Sequence, residues 1–549
     1  MRNPNGPATG RPANLAPTAM VTSSHSLASQ AGLEMLRRGG SAADAAIAAN
    51  AVLCVVYPHM AGIGGDGFWL VADGDDVRAL NGSGPAASAA TIAWFREKGH
   101  DAIPSRGPLA ALTVPGAVDG WRELHEAYGR LSWGDLLAPA IGYAGDGAPG
   151  GRSLADWIAK DVDVIGPREA MAQLYIRDGQ PLREGDRVVH ADLARTLRAI
   201  AEHGPRELYD GSVGERVTAA LEATGSPLRA EDLATFRAAW VDPIRSTYRG
   251  LEIVTFPPNT QGFAALQVLN VIEGFDVQAW GDGTADYYHH LAEAVKLAFA
   301  DRDAWLTDPA FEEIPLDRLV SKGYAERRRS MIDPDRAMTM TEVPSGVERA
   351  DVGGRRSAEG DTCAFSAVDG DGLAVSAIQS IYHDFGSAEI AGDTGVLVQN
   401  RGSFFALEEN HPNRLEPGKR TFHTLIPSMA RRDGQVELVY GTMGGEGQPQ
   451  TQAAIVTRLE DFGYDVQQAI EAPRWLMGRT WGVDSRDLSL EGRVSDDVAR
   501  ELARRGQPVK MLANWDDNMG HAHAIRVRRE GGFLEGGADP RGDGAAIGF

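Results

Sequence analysis

The sequence predicts a layered fold of the α+β or α/β class, in which β-sheets are flanked by helices. Three observations support this class. Residues 24–56 are Ala-rich with helical patterning, and the middle of the chain is mainly helical. The part after residue 361 alternates short strands with turns.

The first elements follow one another closely. Residues 24–39 and 41–56 predict two helices, and Ser41 is a suitable N-cap for the second. The loop 62–67 then leads into a hairpin with strands at 68–71 and 77–80. A phosphate-binding loop lies between a strand and the helix after it, whereas this loop leaves a helix and enters a strand. A tight helix-to-strand turn is therefore favoured over a nucleotide site.

The middle and the end of the chain differ in their predicted secondary structure. Residues 117–128 and 286–305 carry apolar residues at helical spacing, and a strand is predicted at 251–256. Residues 362–368 and 373–381 predict a hairpin. Further hairpins are predicted around residues 432–434 and 530–532.

The composition describes an acidic globular protein. Of the 549 residues, 43% are hydrophobic and 24% charged, which is ordinary for a folded chain, and the formal net charge is −22. Such a surface repels phosphate backbones and anionic lipid, so we expect neither nucleic acid nor membrane partners. Two cysteines are too few for a disulfide framework. These features favour an enzyme that acts on a small molecule.

The start of the chain bears on its location. It is polar and Pro-rich without an apolar core of signal-peptide length, and residues 1–18 are predicted to form a flexible tail. The longest apolar stretch, residues 45–57, is interrupted by Asn50 and is too short to span a membrane. We therefore expect a cytoplasmic location.

A long polar loop precedes the second half of the chain. Residues 338–361 need a functional reason or disorder inside a compact protein, and they end at Asp361-Thr362, where a strand begins. A threonine hydroxyl can attack the preceding carbonyl, and hydrolysis would then free Thr362 as a new N-terminus. Its α-amine, with an intrinsic pKa of roughly 7.7–8.0, could activate the hydroxyl. The residues alone leave open a plain β-branched strand residue.

Several motifs of the sequence are similar to those of a known family. Thr362, the hairpin Val368-Asp369-Gly370-Asp371-Gly372 and Phe385-Gly386-Ser387 together resemble the start of the small subunit of γ-glutamyltranspeptidases. The similarity covers nearly the whole chain. Further matching motifs lie at residues 39–46, 62–68, 113–116, 300–302, 417–420, 441–445 and 539–541.

The resemblance implies an architecture and a maturation. It implies a four-layer αββα sandwich of the N-terminal-nucleophile type, cleaved between Asp361 and Thr362. The large segment 1–361 and the small segment 362–549 would interleave in one structural unit. The active protein would be a heterodimer of these fragments, which could in turn form a dimer, and it would use no cofactor and no catalytic metal.

Three catalytic roles are also implied by the resemblance. Thr362 matches the nucleophile. Ser380 matches a threonine whose hydroxyl contacts the nucleophile, so a Ser380–Thr362 hydrogen bond is expected. Gly444 and Gly445 match the oxyanion-hole pair, although the sequence alone would make them a turn after a strand at 436–440.

The residues with which the family binds a γ-glutamyl group are mostly replaced. At those positions this chain has Asn81, Tyr382, Arg401, Phe404, His423 and Thr424.

These replacements alter the expected substrate. A buried cationic α-amine needs a carboxylate, and Arg401 would repel it. Arg401 and His423 suit an anionic acyl group instead. The pattern resembles the oxamate amidohydrolase and acylase-like branch of the family. The predicted function is hydrolysis of a small carboxylated amide through a Thr362 acyl-enzyme. The alternatives are a γ-glutamyltransferase with a rebuilt substrate clamp and an uncleaved, non-catalytic binding homologue.

Plainer interpretations of the substrate residues stay open. Arg401 could be a surface-paired arginine, His423 a satisfied core histidine, and Tyr382 only a pocket wall.

Two other chemistries are less favoured. Cys363 is one residue from the nucleophile position and on the opposite strand face. His521 and His523 alternate on one strand face but lack an evident third ligand, so no metal site is predicted.

Overall fold

The computed structural model describes residues 2–347, 361–478 and 485–549. The strands are β1 Asn14–Ala16, β2 Met20–Ser23, β3 Asp66–Asp73, β4 Asp76–Gly82, β5 Ala148–Pro149, β6 Ile176–Arg177, β7 Gln180–Pro181, β8 Arg187–Val188, β9 Ala239–Val241, β10 Ile244–Tyr248, β11 Leu251–Thr255, β12 Asp361–Val368, β13 Ala374–Tyr382, β14 Ser428–Arg432, β15 Gln435–Thr442, β16 Trp475–Met477, β17 Leu488–Leu490, β18 Val509–Met511, β19 Ala522–Arg528, β20 Phe533–Ala538 and β21 Ala545–Gly548.

The helices lie mostly between residues 26 and 329. They are α1 Ser26–Arg37, α2 Ala42–Val56, α3 Ile92–Glu97, α4 Ala117–Tyr128, α5 Trp133–Asp146, α6 Arg152–Lys160, α7 Val162–Ile165, α8 Glu169–Tyr175, α9 Ala191–His203, α10 Ser212–Thr224, α11 Ala230–Thr235, α12 Gly262–Ile272, α13 Val277–Trp280, α14 Ala285–Trp305, α15 Leu316–Leu319, α16 Lys322–Arg329, α17 Gln448–Glu460, α18 Val466–Glu471 and α19 Asp496–Arg504.

The predicted local elements are confirmed where capping and turn residues defined them. The Ser41 hydroxyl accepts the Asp44 N–H at 3.2 Å, and the Asp44 carboxylate accepts the Ser41 N–H at 2.9 Å. This capping box starts α2 at the predicted place. The hairpins β3–β4, β12–β13, β14–β15 and β19–β20 all form where turns were predicted.

Two seven-stranded sheets form the centre of the molecule. Their orders are β21-β2-β12-β13-β3-β4-β9 and β1-β20-β19-β15-β14-β11-β10. Each sheet combines strands from before and after Thr362. The two parts of the chain therefore share both sheets.

Three apolar clusters explain the packing. One contains residues of both sheets, among them Phe68, Val254, Ile378 and Val439, and fills the space between them. Another joins the first sheet to α1, α2 and α4, and a further one joins the second sheet to α12, α14, α17 and α18. Burial of these apolar faces drives the association. The α+β character predicted for the fold is confirmed.

The predicted flexible tail is wrong for part of residues 1–18. Asn14–Ala16 form β1, which pairs with β20, because an edge strand there offers unsatisfied backbone groups. Asn3 also donates its backbone N–H to Gln468 at 2.9 Å. Of the predicted loop at 338–361, residues 348–360 lie outside the described residues. In the described part of the chain, no helix has the length and apolarity that a bilayer crossing requires.

Candidate active site

Thr362 lies in an irregularity at the start of β12. In the β12–β13 ladder Cys363 pairs with Gln379 but Asp361 pairs with Tyr382, so the register shifts across Thr362. The side chain is fully buried, and its Oγ makes no hydrogen bond within the described residues. An unsatisfied buried hydroxyl costs roughly 1–3 kcal/mol, and such groups call for a functional explanation.

The strand that carries the glycine pair packs against β12. The Ser376 hydroxyl donates to Tyr440 O at 3.0 Å, and Ser376 is paired with Ser366 of β12. One residue further along β15, a methyl group on Gly441 would lie 3.2 Å from the Cβ of Ala364. As β15 advances it therefore runs back towards the start of β12, where Thr362 lies.

Gly444 and Gly445 follow directly after β15. Their φ values are +125° and +52°, both in the region that favours glycine. Gly444 O accepts the N–H of Gly447 at 2.7 Å, which closes the turn. Within the described residues, neither glycine N–H donates a hydrogen bond to a recorded acceptor. Two N–H donors are thus available at this end of the sheets.

Arg401 contacts the side chains of Ser380, Tyr382 and Thr424, and this buried group is called the Arg401 pocket below. It is 1% exposed, and its guanidinium donates to the Ser380 hydroxyl at 3.3 Å and to the Thr424 hydroxyl at 3.5 Å. Burial lowers its pKa to about 10, while Tyr382 and Asp66 act in the opposite direction. Its Nε makes no hydrogen bond in the described part of the chain.

Aromatic rings cover the Arg401 guanidinium. Its Cζ lies 4.1 Å from the centre of the Tyr382 ring, which stacks on Phe404 at 4.5 Å. Tyr382 has φ +84°, a strained value for a residue with a side chain. The backbone at the end of β13 is therefore held so that this ring lies over the cation.

A buried carboxylate lies behind the pocket. Asp66 Oδ2 lies 3.3 Å from His423 Nε2, and Asp66 Oδ1 accepts N–H groups from Gly84 and Gly116 at 3.2 Å and from Gln399 at 2.9 Å. Burial raises the pKa of Asp66 to about 7, opposed by these hydrogen bonds and by Arg401.

His423 is fully buried beside this carboxylate. Burial, together with the charge of Arg401, holds its pKa well below the ordinary value. Its Nδ1 makes no hydrogen bond within the described residues, and Phe68 packs at 4.6 Å from its ring. It is therefore a neutral imidazole with one unused nitrogen.

The structure corrects two expectations. The predicted Ser380–Thr362 hydrogen bond is not formed within the described residues. The Ser380 hydroxyl accepts the Tyr382 N–H at 2.8 Å and a guanidinium N–H, while Thr362 Oγ has no partner. The alternative of a surface-paired Arg401 is wrong, because its side chain is buried.

Asn81 lies at the margin of this group. Its amide donates to Asn259 Oδ1 at 3.1 Å, and its carbonyl accepts the N–H and the hydroxyl of Ser83. Asn259 O in turn accepts the His423 N–H at 2.8 Å. Asn81 therefore supports the loop behind His423, with its own hydrogen bonds already used.

Sequence reasoning missed Asp66, Gln261, Arg302 and Glu446. Asp66 was included in a predicted turn and in the family motif 62–68, but no role was assigned to it. A charged residue among glycines, at the first position of the otherwise apolar strand β3, was the available signal. The other three meet only through tertiary contacts. Among the described residues, no group of three or more His, Cys, Asp or Glu could hold a metal ion.

Comparison with known proteins identifies the family. The gamma-glutamyltranspeptidase model matches residues 28–549. The chain belongs to this family. It is 46% identical over 532 residues to the glutathione hydrolase-like YwrD proenzyme of Bacillus subtilis (strain 168), covering 96% of this chain and 98% of that protein.

Two further relatives match 98% or more of the chain. Identity is 41% over 544 residues to the oxamate amidohydrolase proenzyme of Klebsiella pneumoniae, with 98% of this chain and 99% of that protein covered. The crystal structure of cephalosporin acylase from Bacillus halodurans superposes with a TM-score of 0.91 at 35% identity, covering 100% of this chain and 99% of that one. The protein is accordingly an enzyme, a hydrolase of the gamma-glutamyltranspeptidase family.

Proposed function

We propose that this protein is a self-cleaving amidohydrolase whose nucleophile is Thr362 and whose substrates are small carboxylated amides. The observation that carries the proposal is a buried Thr362 hydroxyl that makes no hydrogen bond within the described residues. Strand β15 runs towards the start of β12, where Thr362 lies, and Gly444 and Gly445 follow directly after β15. The names of relatives as proenzymes support cleavage.

Maturation would be an acyl shift within the chain. Thr362 Oγ attacks the Asp361 carbonyl carbon, the C–N bond breaks, and the hydroxyl proton passes to the departing nitrogen. The resulting ester is hydrolysed by water, which leaves a carboxylate on Asp361 and restores the Thr362 hydroxyl. The register shift around Thr362 supports this step, because it takes the bond out of the regular ladder.

The mature enzyme would use the amine so released. It takes the proton of Thr362 Oγ as this oxygen attacks the substrate amide and later passes it to the leaving amine. Gly444 and Gly445 would donate their N–H groups to the oxyanion, an interaction that typically contributes roughly 10²–10³ in rate for each donor. Water then hydrolyses the acyl-enzyme to a carboxylic acid.

Arg401 supports the substrate class. A buried guanidinium with two long hydrogen bonds to hydroxyls and an unpartnered Nε is suited to a carboxylate on the acyl group. The same charge disfavours an α-ammonium group. We therefore propose an oxamate-like amide or a related acyl side-chain amide over glutathione.

The fold completes the proposal. We infer that the sheets and their outer helices make a four-layer αββα sandwich, and that fragments 1–361 and 362–549 stay together because both contribute strands to each sheet. A further dimer of this heterodimer, cytoplasmic location and the absence of a cofactor stay predictions.

Gel electrophoresis and mass spectrometry test the cleavage. Wild type should yield fragments of 361 and 188 residues, about 39 and 20 kDa of the 58.7 kDa chain in proportion to length. Thr362→Ala should stay a single chain without activity, and Thr362→Ser should cleave because it keeps the hydroxyl. An active wild type that remains joined across Asp361–Thr362 would overturn the mechanism.

A substrate panel tests the chemistry. Purified cleaved enzyme is assayed with oxamate, other carboxylated amides and glutathione, with ammonia or amine release as the readout. Faster turnover of glutathione than of every carboxylated amide without an α-amine would favour a γ-glutamyltransferase with a rebuilt clamp. A wild type that stays uncleaved and hydrolyses none of these amides would favour the uncleaved, non-catalytic alternative.

A further inference from the structure

Gln261 makes hydrogen bonds both to the glycine pair and to a residue of the Arg401 pocket. It directly precedes α12, and its side chain is fully buried. Its Nε2 donates to Gly445 O at 3.0 Å and to Thr424 O at 2.9 Å. A single amide group therefore binds the carbonyl of Gly445, from the glycine pair, and the carbonyl of Thr424, beside Arg401.

Arg302 fixes the other end of this amide. It donates from Nη1 to Gln261 Oε1 at 2.9 Å, so the Gln261 amide has a defined orientation. Arg302 Nη2 also lies 2.5 Å from Glu446 Oε2. Glu446 directly follows Gly445, so the glycine turn is held from two directions.

These contacts act on a backbone that has little rigidity of its own. Glycine residues populate several conformations readily, and Gly444 and Gly445 both have positive φ. Oxyanion stabilisation depends on donors that are oriented before the reaction begins. A carbonyl anchor on Gly445 limits the rotation of that residue and thereby the direction of its N–H.

The second carbonyl connects this anchor to substrate binding. Thr424 accepts the Gln261 amide at its carbonyl, and its hydroxyl contacts Arg401 at 3.5 Å. The Gln261 side chain therefore bonds to both parts of the site, the Arg401 pocket through Thr424 and the glycine donors through Gly445. A displacement of about 1 Å in such a site can reduce the rate by about 10²-fold.

We propose that Gln261 is a positioning residue that sets the spacing between the Gly444-Gly445 donors and the Arg401 pocket, with Arg302 orienting its amide. This inference rests on the proposed function. Gln261 acts through the two carbonyls and does not itself contact the reacting atoms.

The test uses Gln261→Met, which keeps the length of the side chain and removes its hydrogen bonds. We expect self-cleavage and the kcat of the cleaved enzyme to fall by roughly 10- to 100-fold. KM for a carboxylated amide should change by less than about threefold, since the carboxylate contact to Arg401 is retained. Gln261→Glu should be slower still, because a carboxylate oxygen would face two carbonyls while keeping the Arg302 contact.

Gln467→Met is the matched control. Gln467 is 2% exposed and also makes three hydrogen bonds, donating to Ala538 O at 2.9 Å and Glu471 Oε1 at 2.7 Å and accepting the Ala538 N–H at 3.2 Å. It should lose comparable thermal stability but keep self-cleavage and kcat within about twofold of wild type.

The outcomes separate this inference from the proposed function. If wild type cleaves and hydrolyses amides while both Gln261 variants match it within twofold, only the positioning role is overturned. Equal slowing in Gln467→Met would also overturn it, since the loss would then reflect general destabilisation. If Gln261→Met does not fold by circular dichroism, the isosteric Gln261→Glu decides. An uncleaved, inactive wild type would reject the proposed function instead.

Discussion

Two buried arginines lie in neighbouring regions of the site and differ in their partners. Arg302, on α14, lies within 2.5 Å of Glu446, 2.8 Å of Asp303 and 2.9 Å of Gln261. Arg401 has two hydroxyls beyond 3.2 Å, aromatic rings above it and an Nε without a partner. Both are 1% exposed or less.

The difference is the one that the proposed function expects between a structural cation and a cation that binds substrate. A buried charge is tolerated when carboxylates and hydrogen bonds compensate its desolvation. Arg302 has this compensation within the protein. Arg401 lacks most of it, and burial lowers its pKa to about 10. An anionic substrate group would supply what the protein leaves out.

Removing the compensated arginine should have the largest effect. Arg302→Met leaves Glu446 buried without its cation, which costs about 3–5 kcal/mol, so thermal unfolding should occur at a clearly lower Tm. The double variant Arg302→Met/Glu446→Leu should recover most of this loss, because no buried charge stays unpaired. If the single and double variants unfold at the same Tm, Arg302 and Glu446 are not coupled as described.

Arg401→Met should affect activity and leave stability intact. Loss of the charged contact should cost about 2–5 kcal/mol of transition-state binding free energy. This corresponds to a kcat/KM for a carboxylated amide that is roughly 30- to 5,000-fold lower. Tm should stay equal or rise, since an uncompensated buried cation is removed. An amide without the carboxylate serves as control and should be hydrolysed equally by both enzymes. A large loss of Tm would place Arg401 with the structural arginines.

The smallest expected effect concerns the carboxylate behind Arg401. Because burial raises the Asp66 pKa from 3.8 to about 7, folding is favoured with Asp66 protonated. This contribution is complete below about pH 4 and is lost as the pH rises through about 7.

Asp66→Asn resembles the protonated form, since its amide oxygen can accept the same N–H groups while its NH₂ faces His423. The Tm difference between variant and wild type should therefore increase from pH 4 to pH 7 and then level off. Comparing the two proteins at each pH cancels the titration of the other buried groups. A constant difference would mean that Asp66 is already ionised at pH 4.

Much of the fold could be predicted because its signals are local. Ser41 as a cap fixes the start of α2, and turn residues fix the hairpins around β12, β14 and β19. Asn14–Ala16 show the limit, since three residues carry no periodic signal and β20 alone makes them a strand. The candidate nucleophile Thr362 and the glycine pair were predicted through family motifs, and their roles stay proposals.

The hydrogen-bond partners of these residues could not be predicted from the sequence. Ser380 was expected to contact Thr362, but its hydroxyl accepts N–H groups of Tyr382 and Arg401, contacts that no sequence pattern shows. Asp66 and His423 are 357 positions apart, and Gln261 and Gly445 are 184 apart. Short-range sequence patterns cannot predict contacts between residues so far apart in the chain.

The sequence by itself determined the family and the main elements, and it placed Arg401 and His423 at positions where we propose substrate binding. These follow from residue identity and short-range spacing. Tertiary structure decided which buried charges are compensated, which hydroxyl lacks a partner and which side chain joins the two sides of the site. Burial and pairing depend on the packing of distant segments, and only that packing sets desolvation and hydrogen bonding for each group.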